Sequence, residues 1–154
     1  MSKERAYAFL EKKGLTAHFI ETEDSTATVS MAAEVLGVTE GEIAKSLTFR
    51  DKDGTPILIV MAGEKRVDNK KFKATFGTKA KMLSPEEVAD EIGHEVGGVT
   101  PFGVKEGVKL YVDESLRAYD IVYPACGSAY AVCRFRPDEL IEAIDAEGAV
   151  DVAK

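Results

Sequence analysis

The spacing of apolar residues near the start of the chain predicts a helix. Ala6, Phe9 and Leu10 recur at helical intervals over about residues 2–13, and Gly14 follows as a helix-ending residue. The apolar side chains would lie on one face of this helix and pack onto the rest of the protein.

The next segments alternate between strand and helix patterns. Residues 16–21 alternate in polarity as a strand does, and residues 29–36 have the periodicity of a helix that Gly37 ends. Residues 43–50 and 57–62 flank a short polar turn, which is the signal of a β-hairpin. The apolar run in the second hairpin strand predicts that this strand is buried on both faces.

The second half of the chain continues this rhythm. Helices are predicted for a segment with Phe72 and Phe76 that Asp68 caps, for a start at 84–87, and for 137–144. Strands are predicted at about 108–112, 119–125 and 129–135, with the turn Cys126-Gly127-Ser128 between the last two. With 154 residues and no linker or repeat, the chain is predicted to form a single compact α/β domain over residues 1–154.

Lys45 interrupts an otherwise apolar strand face. An extended segment over 43–50 places it on the same side as Ile43, Leu47 and Phe49. The intervening side chains would then point outward, namely those of Ala44, Ser46, Thr48 and Arg50. Because burying an unpaired ammonium is costly, such a lysine indicates an anion, a ligand or a pocket beside it.

A second interpretation of Lys45 stays open. Thr39 and Glu42 have the spacing of a capping box and could begin a short helix that runs into Lys45. Lys45 would then be a junction residue, solvated or salt-bridged.

Composition narrows the class of protein. Hydrophobic residues make up 45% and charged residues 31% of the chain, and no apolar run has the length of a membrane span. The N-terminal residues form an amphipathic pattern and not a signal peptide, so we expect a cytoplasmic protein with no membrane partner. Cys126 and Cys133 match neither a CxxC pair nor a zinc motif, so reduced thiols are expected, with no metal and no cofactor.

Basic residues are concentrated in one segment of an acidic chain. The formal net charge is -7, which argues against binding nucleic acid by bulk electrostatics. Residues 65–81 nevertheless contain Lys65, Arg66, Lys70, Lys71, Lys73, Lys79 and Lys81 against the single acid Asp68. This segment could contact phosphates, or it could be a solvated helix face.

The remaining candidates point away from a protein nucleophile. Residues 97–103 form a glycine-rich loop that lacks the GKS/T ending of a P-loop and the GxGxxG of a dinucleotide-binding site. The loop therefore either offers amides to an oxyanion or merely connects two elements. His18 is interpreted as a surface residue and His94 as a structural one, and no catalytic triad is apparent. Cys126 has no basic neighbour in sequence and is interpreted as a buried or pocket-lining thiol.

Four segments together resemble a known family. Residues 43–47 (Ile-Ala-Lys-Ser-Leu), 67–72, 96–103 and 123–128 are similar to the YbaK/ProX family of stand-alone aminoacyl-tRNA deacylases. This family is related to the editing domain inserted in bacterial prolyl-tRNA synthetases. The resemblance implies a mixed α/β fold around a curved, barrel-like sheet, and hydrolysis of the ester that joins a wrong amino acid to tRNA, with proline tRNA as the expected carrier.

The resemblance also implies site residues. Lys45 would position the aminoacyl-adenosine end, and backbone donors of the loop, with Gly98 and Gly103 as the catalytic glycines, would hold the carbonyl oxygen. Water or a group of the substrate would attack. Substrate-binding residues would be Ser46, Thr100, Pro101, Phe102, Cys126, Gly127 and Ser128.

The substrate and its presentation are left open at this stage. Typical cysteine-specific members carry a Gly-Gly-Lys-Arg-like turn where this chain has Cys126-Gly127-Ser128-Ala129, which leaves cysteine specificity undecided. Aminoacyl-tRNA would bind weakly, through Lys65, Arg66, Lys70 and Lys71, with a synthetase or elongation factor as a further partner. A non-catalytic sensor of an amino acid or aminoacyl-adenosine is the alternative function, and a structural or interaction protein is a third.

Overall fold

The structure is a computed structural model that describes residues 2–154, and it contains one mixed sheet. Seven strands follow the order β1-β6-β5-β2-β3-β4-β7. Their bounds are β1 (Phe19–Glu21), β2 (Ile43–Arg50), β3 (Pro56–Ala62), β4 (Lys109–Asp113), β5 (Tyr123–Ser128), β6 (Ala131–Cys133) and β7 (Gly148–Val150). The predicted mixed α/β fold is confirmed, although the sheet stays open between β1 and β7 and is only loosely barrel-like.

Helices flank the sheet. They are α1 (Ser2–Lys13), α2 (Val29–Leu36), α3 (Asn69–Phe76), α4 (Pro85–Glu87) and α5 (Pro137–Ala143). A π-helical turn, Val88–Ile92, continues α4, and short 3₁₀ turns lie at Thr16–His18, Glu40–Glu42 and Glu114–Ala118. The predicted caps are present, since Asp68 accepts from Lys70 and Lys71 at the start of α3 and Ser84 accepts from Glu87 at the start of α4.

Two groups of strands meet at a short junction. The β2–β3 hairpin pairs over its whole length, with Lys45 opposite Met61 and Phe49 opposite Ile57. By contrast, β2 and β5 pair in parallel at two positions only, Ile43 with Tyr123 and Ala44 with Pro124. The strands β1, β6 and β5 therefore join the rest of the sheet along a narrow seam.

The two faces of the sheet carry different cores. The larger core packs α1, α5 and residues such as Phe102 and Phe135 against one face. The smaller core packs Phe72 of α3 against Phe49, Ile57 and Met61 on the opposite face.

Both faces of β2 are covered, which corrects one prediction. Lys45 does share a face with Leu47 and Phe49, but Ala44 and Thr48 do not point outward into solvent, since they are 1% and 5% exposed. The prediction failed because β2 is an interior strand of a sheet packed on both sides.

Other element boundaries also differ from those predicted. Within 16–21 only Phe19–Glu21 is a strand, because residues Thr16–His18 form a 3₁₀ turn. The segment Cys126-Gly127-Ser128 is the end of β5 and not a turn, since a bulge lets Ser128 pair with Ala131. The capping box at Thr39 is present, but its 3₁₀ turn ends before Ile43, so Lys45 lies in the strand.

Candidate active site

A cavity of about 280 Å³ lies beside β2, opposite the segment that runs from Met82 to Val99. The start of α2 and strands β5 and β6 complete its walls. Its apolar lining includes Val29, Ala32, Ile43, Ala44, Leu83, Val88, Val99 and Val132. Met82 and Val96, 60% and 67% exposed, also line this cavity and leave it an apolar rim.

Lys45 lines the cavity and is held by backbone carbonyls. Its Nζ donates to the carbonyl oxygen of Gly63 at 3.3 Å and also to that of Lys65. Among residues 2–154, no carboxylate forms an ion pair with this ammonium. Burial lowers the pKa of Lys45 below the ordinary lysine value. The structure thus favours the pocket interpretation over a salt-bridged surface lysine.

Hydroxyl groups supply most of the remaining polarity of the cavity. Thr26 Oγ1 donates to the Ala129 carbonyl oxygen, and Thr28 Oγ1 accepts from the Met31 amide. In the part of the chain that the structure describes, the buried Ser46 Oγ has no hydrogen-bond partner. An unpaired buried hydroxyl is unfavourable, so a ligand that hydrogen-bonds Ser46 would gain affinity.

The glycine loop closes the cavity on the side opposite the strand. Gly97 and Val99 line it, whereas Gly98 packs directly on β5. A Cβ atom on Gly98 would lie 2.8 Å from the carbonyl carbon and oxygen of Gly127, so glycine is required at this contact. The Gly98 amide is already used, since it donates to the Glu95 carbonyl oxygen at 3.0 Å.

The remaining loop residues lie deeper than the cavity. Gly103, in the left-handed region at φ 71°, packs on α1, where Arg5 Nε donates to its carbonyl oxygen. Thr100 Oγ1 accepts from the Phe102 amide at 3.2 Å, and the Phe102 ring is fully buried in the larger core. Pro101 is also buried. These four residues shape the loop from behind rather than line the cavity.

The 126–128 segment likewise lies beside the cavity and not in its wall. Cys126 and Cys133 are both fully buried, and contact with Cys126 together with burial raises the pKa of the Cys133 thiol. Ser128 Oγ accepts from the Tyr130 amide at 3.0 Å, so it caps its own backbone. Gly127 and Ser128 line a second, adjoining depression with Gly98 and Ser2.

An ion-pair cluster fixes the helical wall of the cavity to the sheet. Arg50, at the end of β2, bonds Glu91 at 2.8 Å and also bonds Glu87. The pKa of Glu87 falls to about 2, first through its bond to the Ser84 amide and then through Arg50. Because Pro85 and Val88 line the cavity, this cluster links their helical segment to the end of β2.

The basic segment extends from one side of the cavity toward its rim. Lys65 supplies a carbonyl that holds Lys45, and Lys81 directly precedes the rim residue Met82. Lys70, Lys73 and Lys79 share a shallow groove beside α3. Lys71 is less available than the other lysines to bind an anion, since its Nζ lies 3.0 Å from an oxygen of Asp151.

Sequence reasoning missed several cavity residues. Thr26, Thr28, Val29, Met82 and Tyr123 line the cavity, yet they lie in three separate parts of the chain and form no motif. The sequence signals at these positions were the predicted helix 29–36, which contains Val29, and the resemblance segment 123–128, which contains Tyr123. Over residues 2–154 the structure has no cluster of metal-ligating side chains. Nor does any helix in this range have the length and apolarity needed to span a membrane.

Comparison with known proteins gives one family match and several close relatives. The profile of the aminoacyl-tRNA editing domain matches residues 23–143. The uncharacterized protein YwhH of Bacillus subtilis is 48% identical over 134 residues, which cover 87% of this chain and 85% of YwhH. EbsC of Enterococcus faecalis, a candidate Cys-tRNA(Pro)/Cys-tRNA(Cys) deacylase, is 30% identical over 80% of this chain and 75% of its own.

The structural comparison agrees with the sequence relatives. A crystal structure of a candidate trans-editing enzyme for prolyl-tRNA synthetase superimposes with a TM-score of 0.89 at 32% identity. The superposition covers 99% of this chain and 97% of the other. The likeness therefore extends over nearly the whole of both chains.

Proposed function

Because the chain belongs to the aminoacyl-tRNA editing domain family, we propose that it hydrolyses the ester of a tRNA mischarged with a small amino acid, with proline tRNA as the carrier. The family resemblance predicted from four sequence segments is confirmed by this membership. The amino acid, the carrier tRNA and the roles of individual residues are the proposed part.

The observation that carries the proposal is the placement of Lys45. Its ammonium has three N–H groups, and the carbonyls of Gly63 and Lys65 take two of them. One N–H is left for a substrate at the edge of an apolar cavity. A fixed cation there would orient the aminoacyl-adenosine end and stabilise negative charge that develops on the ester.

The opposite wall can supply backbone donors. Gly97 and Val99 line the cavity, and among the described residues their amides donate to no other group. We assign them the role that the sequence suggested for Gly98 and Gly103, since the Gly98 amide is occupied and Gly103 packs on α1. Two amides aimed at a carbonyl oxygen form an oxyanion-binding site.

The chemical step needs no protein nucleophile. Water adds to the ester carbonyl carbon, the negative charge on the carbonyl oxygen is stabilised by the two amides, and the carbon–oxygen bond to the ribose then breaks. The ribose oxygen takes up the proton that the attacking water has lost, and the free amino acid leaves. The buried Cys126 does not line the cavity, which agrees with this route.

The lining of the cavity favours a small, uncharged amino-acid side chain. Apolar walls surround it, no carboxylate faces it, and the buried Ser46 hydroxyl has no partner in residues 2–154. Serine, alanine and cysteine esters fit this description, and a side chain that pairs with Ser46 fits it best.

The basic segment provides a path for the acceptor stem. Lys65 lies beside Lys45 and Lys81 beside the rim, so phosphates of the terminal nucleotides could follow Lys70, Lys73 and Lys79. The net charge of -7 limits the strength of such binding, so a synthetase or elongation factor would present the substrate.

Deacylation of a panel of proline tRNAs charged with alanine, cysteine, serine and proline tests the proposal. The wild type should hydrolyse one mischarged species fastest, and Lys45→Ala should abolish that hydrolysis. Lys109→Ala, which removes an exposed lysine of β4, is the matched control and should behave as wild type. Absence of hydrolysis on this panel and on other tRNAs, with amino-acid binding retained, would instead favour the sensor function.

A further inference from the structure

His94 is a buried imidazole that the proposed reaction does not use. It is 1% exposed, and its Nε2 lies 2.8 Å from the carbonyl oxygen of Phe102. Its Nδ1 is buried and has no hydrogen-bond partner within residues 2–154. A carbonyl can only accept, so the ring carries its proton on Nε2 and donates to Phe102.

The surroundings keep this imidazole neutral. Burial is the main cause that lowers the pKa of His94, and the charge of Arg5 lowers it further, against the opposing effect of the bond to Phe102. A second proton would sit on Nδ1, where no acceptor is available among the described residues. The neutral ring with one donor is therefore the form that binds the loop.

The bond from His94 to Phe102 spans the glycine loop. A second bond joins the residues that flank this loop on either side, since the Lys105 amide donates to the Ile92 carbonyl oxygen at 2.9 Å. Both bonds enclose Gly97 and Val99, the loop residues that line the cavity. The loop is thus a closed segment whose base is fixed by one backbone bond and one side chain.

Neighbouring carbonyls at the end of the loop are held by different elements. His94 binds the Phe102 carbonyl, whereas Arg5 of α1 binds the carbonyl of Gly103. The Phe102 side chain is itself fixed, since its ring packs 5.5 Å from the ring of Phe135. Because the Phe102 ring and the carbonyls of Phe102 and Gly103 are all held, this end of the loop has little freedom to rotate.

We propose that His94 is the positioning residue of the glycine loop. Through its bond to Phe102, His94 holds the Gly97 and Val99 amides in the direction that the ester carbonyl requires. This inference rests on the proposed function. It assigns a role to a histidine that does not line the cavity and that cannot act on the substrate directly.

Three substitutions separate this role from simple packing. His94→Gln keeps a side-chain N–H at nearly the reach of Nε2, whereas His94→Asn is too short to reach the Phe102 carbonyl. His94→Phe keeps a ring and removes the donor. His18→Phe is the matched control, because His18 also bonds a carbonyl, that of Arg134 at 2.7 Å, and stacks on Phe135 outside the loop.

Two readouts are needed, one of them independent of activity. The first is kcat and KM for deacylation of the best substrate from the charged-tRNA panel. The second is amide hydrogen exchange at Gly98, whose N–H is bonded inside the loop to Glu95. His94→Asn and His94→Phe should lower kcat about tenfold to a hundredfold with little change in KM, and should speed exchange at Gly98.

The conservative variant should recover most of the loss. His94→Gln is expected within a few fold of the wild-type kcat and with wild-type exchange at Gly98, and His18→Phe should change neither. Equal losses in His94→Gln and His94→Asn would overturn the proposal, because they would show that the donor is irrelevant. This comparison stands even where His94→Phe does not fold.

The two proposals can fail separately. An inactive wild type whose Gly98 exchange still responds to His94→Asn and not to His94→Gln would refute the proposed reaction while supporting the role of His94 in the loop. An active wild type with unchanged exchange in all three variants would refute the role of His94 alone.

Discussion

The two walls of the cavity are built in opposite ways. On one side β2 presents side chains, Lys45 and Ser46 among them, from a strand whose seven-residue pairing with β3 fixes every position. On the other side the glycine loop presents backbone, and its shape depends on single contacts from Arg5, His94 and Gly127. A change in the strand wall should therefore remove one group cleanly, whereas a change in the loop wall should disturb the whole surface.

This difference explains how chemistry is divided between the walls. A long cation needs a rigid base if it is to stay in one place, and an interior strand supplies it. Backbone amides can approach an oxyanion closely only where side chains are absent, which requires a glycine-rich loop. The comparison predicts which variants lose activity alone and which also lose stability.

Removing the ammonium from the strand wall should have the largest effect. Lys45→Met keeps the apolar stem of the side chain, and we expect deacylation to fall about 10²- to 10³-fold with the fold intact, because one charged donor is lost. Circular dichroism and single-turnover deacylation would check both parts. Lys109→Met is the control, and a loss below threefold in Lys45→Met would contradict the role of the ammonium.

The same lysine predicts the pH dependence. Because burial lowers its pKa, Lys45 loses its proton at a lower pH than an exposed lysine does, and deacylation corrected for spontaneous hydrolysis should fall as the pH rises through that value. The folded state binds this proton less readily than the unfolded state, so the contribution of Lys45 to stability should increase with pH between its lowered pKa and about 10.4. The alkaline decline in rate should be absent in Lys45→Met.

Disturbing the loop wall should cost both stability and activity. A Cβ at Gly98 would meet backbone of Gly127 at 2.8 Å, so Gly98→Ala should lower the free energy of unfolding by about 1–3 kcal/mol and reduce deacylation at least tenfold. Urea unfolding monitored by tyrosine fluorescence gives the stability. Gly148→Ala should be nearly neutral, because a Cβ there would meet nothing within 4 Å among residues 2–154. Equal stability and activity in the two variants would show that the close contact of Gly98 with Gly127 does not determine the shape of the loop.

Removing the unpaired hydroxyl should change specificity rather than overall rate. Ser46→Ala should slow hydrolysis of seryl esters about tenfold and alter hydrolysis of alanyl esters by less than about twofold, because only the former can pair with Ser46. Competition between the two charged tRNAs measures this ratio. Ser128→Ala is the matched control, since its hydroxyl caps the Tyr130 amide away from the cavity. A parallel loss on both esters would assign Ser46 a structural role.

The smallest effect should come from the basic segment, which lies beyond both walls. Lys70→Glu should raise KM a few fold at low salt, leave kcat unchanged and reduce the slope of log KM against log salt by about one or two. Lys109→Glu carries the same change of charge away from the cavity. The same salt dependence in both variants would show that the segment contacts no phosphate.

The strand wall could be predicted from the sequence far better than the loop wall. The β2–β3 hairpin and the caps Asp68 and Ser84 follow from local periodicity and turn chemistry, and each is confirmed. For Lys45 the sequence left two interpretations open, and the structure favours the one that places it in the strand beside the cavity. These features depend on residues that are neighbours in the chain. Local rules also identified residues 97–103 as a loop with special backbone angles.

The parts that failed depend on contacts between distant segments. Ala44 and Thr48 were expected to be outward because one strand cannot reveal that a second layer covers it. The short strand β7 was missed because it gains its pairing only from β4. The sequence cannot show that the Gly98 amide donates to the Glu95 carbonyl oxygen. Nor can it show that Gly97 and Val99 line the cavity.

The narrow seam between β2 and β5 has a consequence for how the cavity forms during folding. The cavity lies across this seam, with Ile43 and Ala44 on one side and Tyr123 on the other, and its walls come from segments up to about a hundred residues apart. Contacts this distant in sequence require the closure of long loops, which slows folding. A chain in which β2 and β5 have not yet paired therefore lacks the cavity, and the site is complete only when both groups of strands have docked.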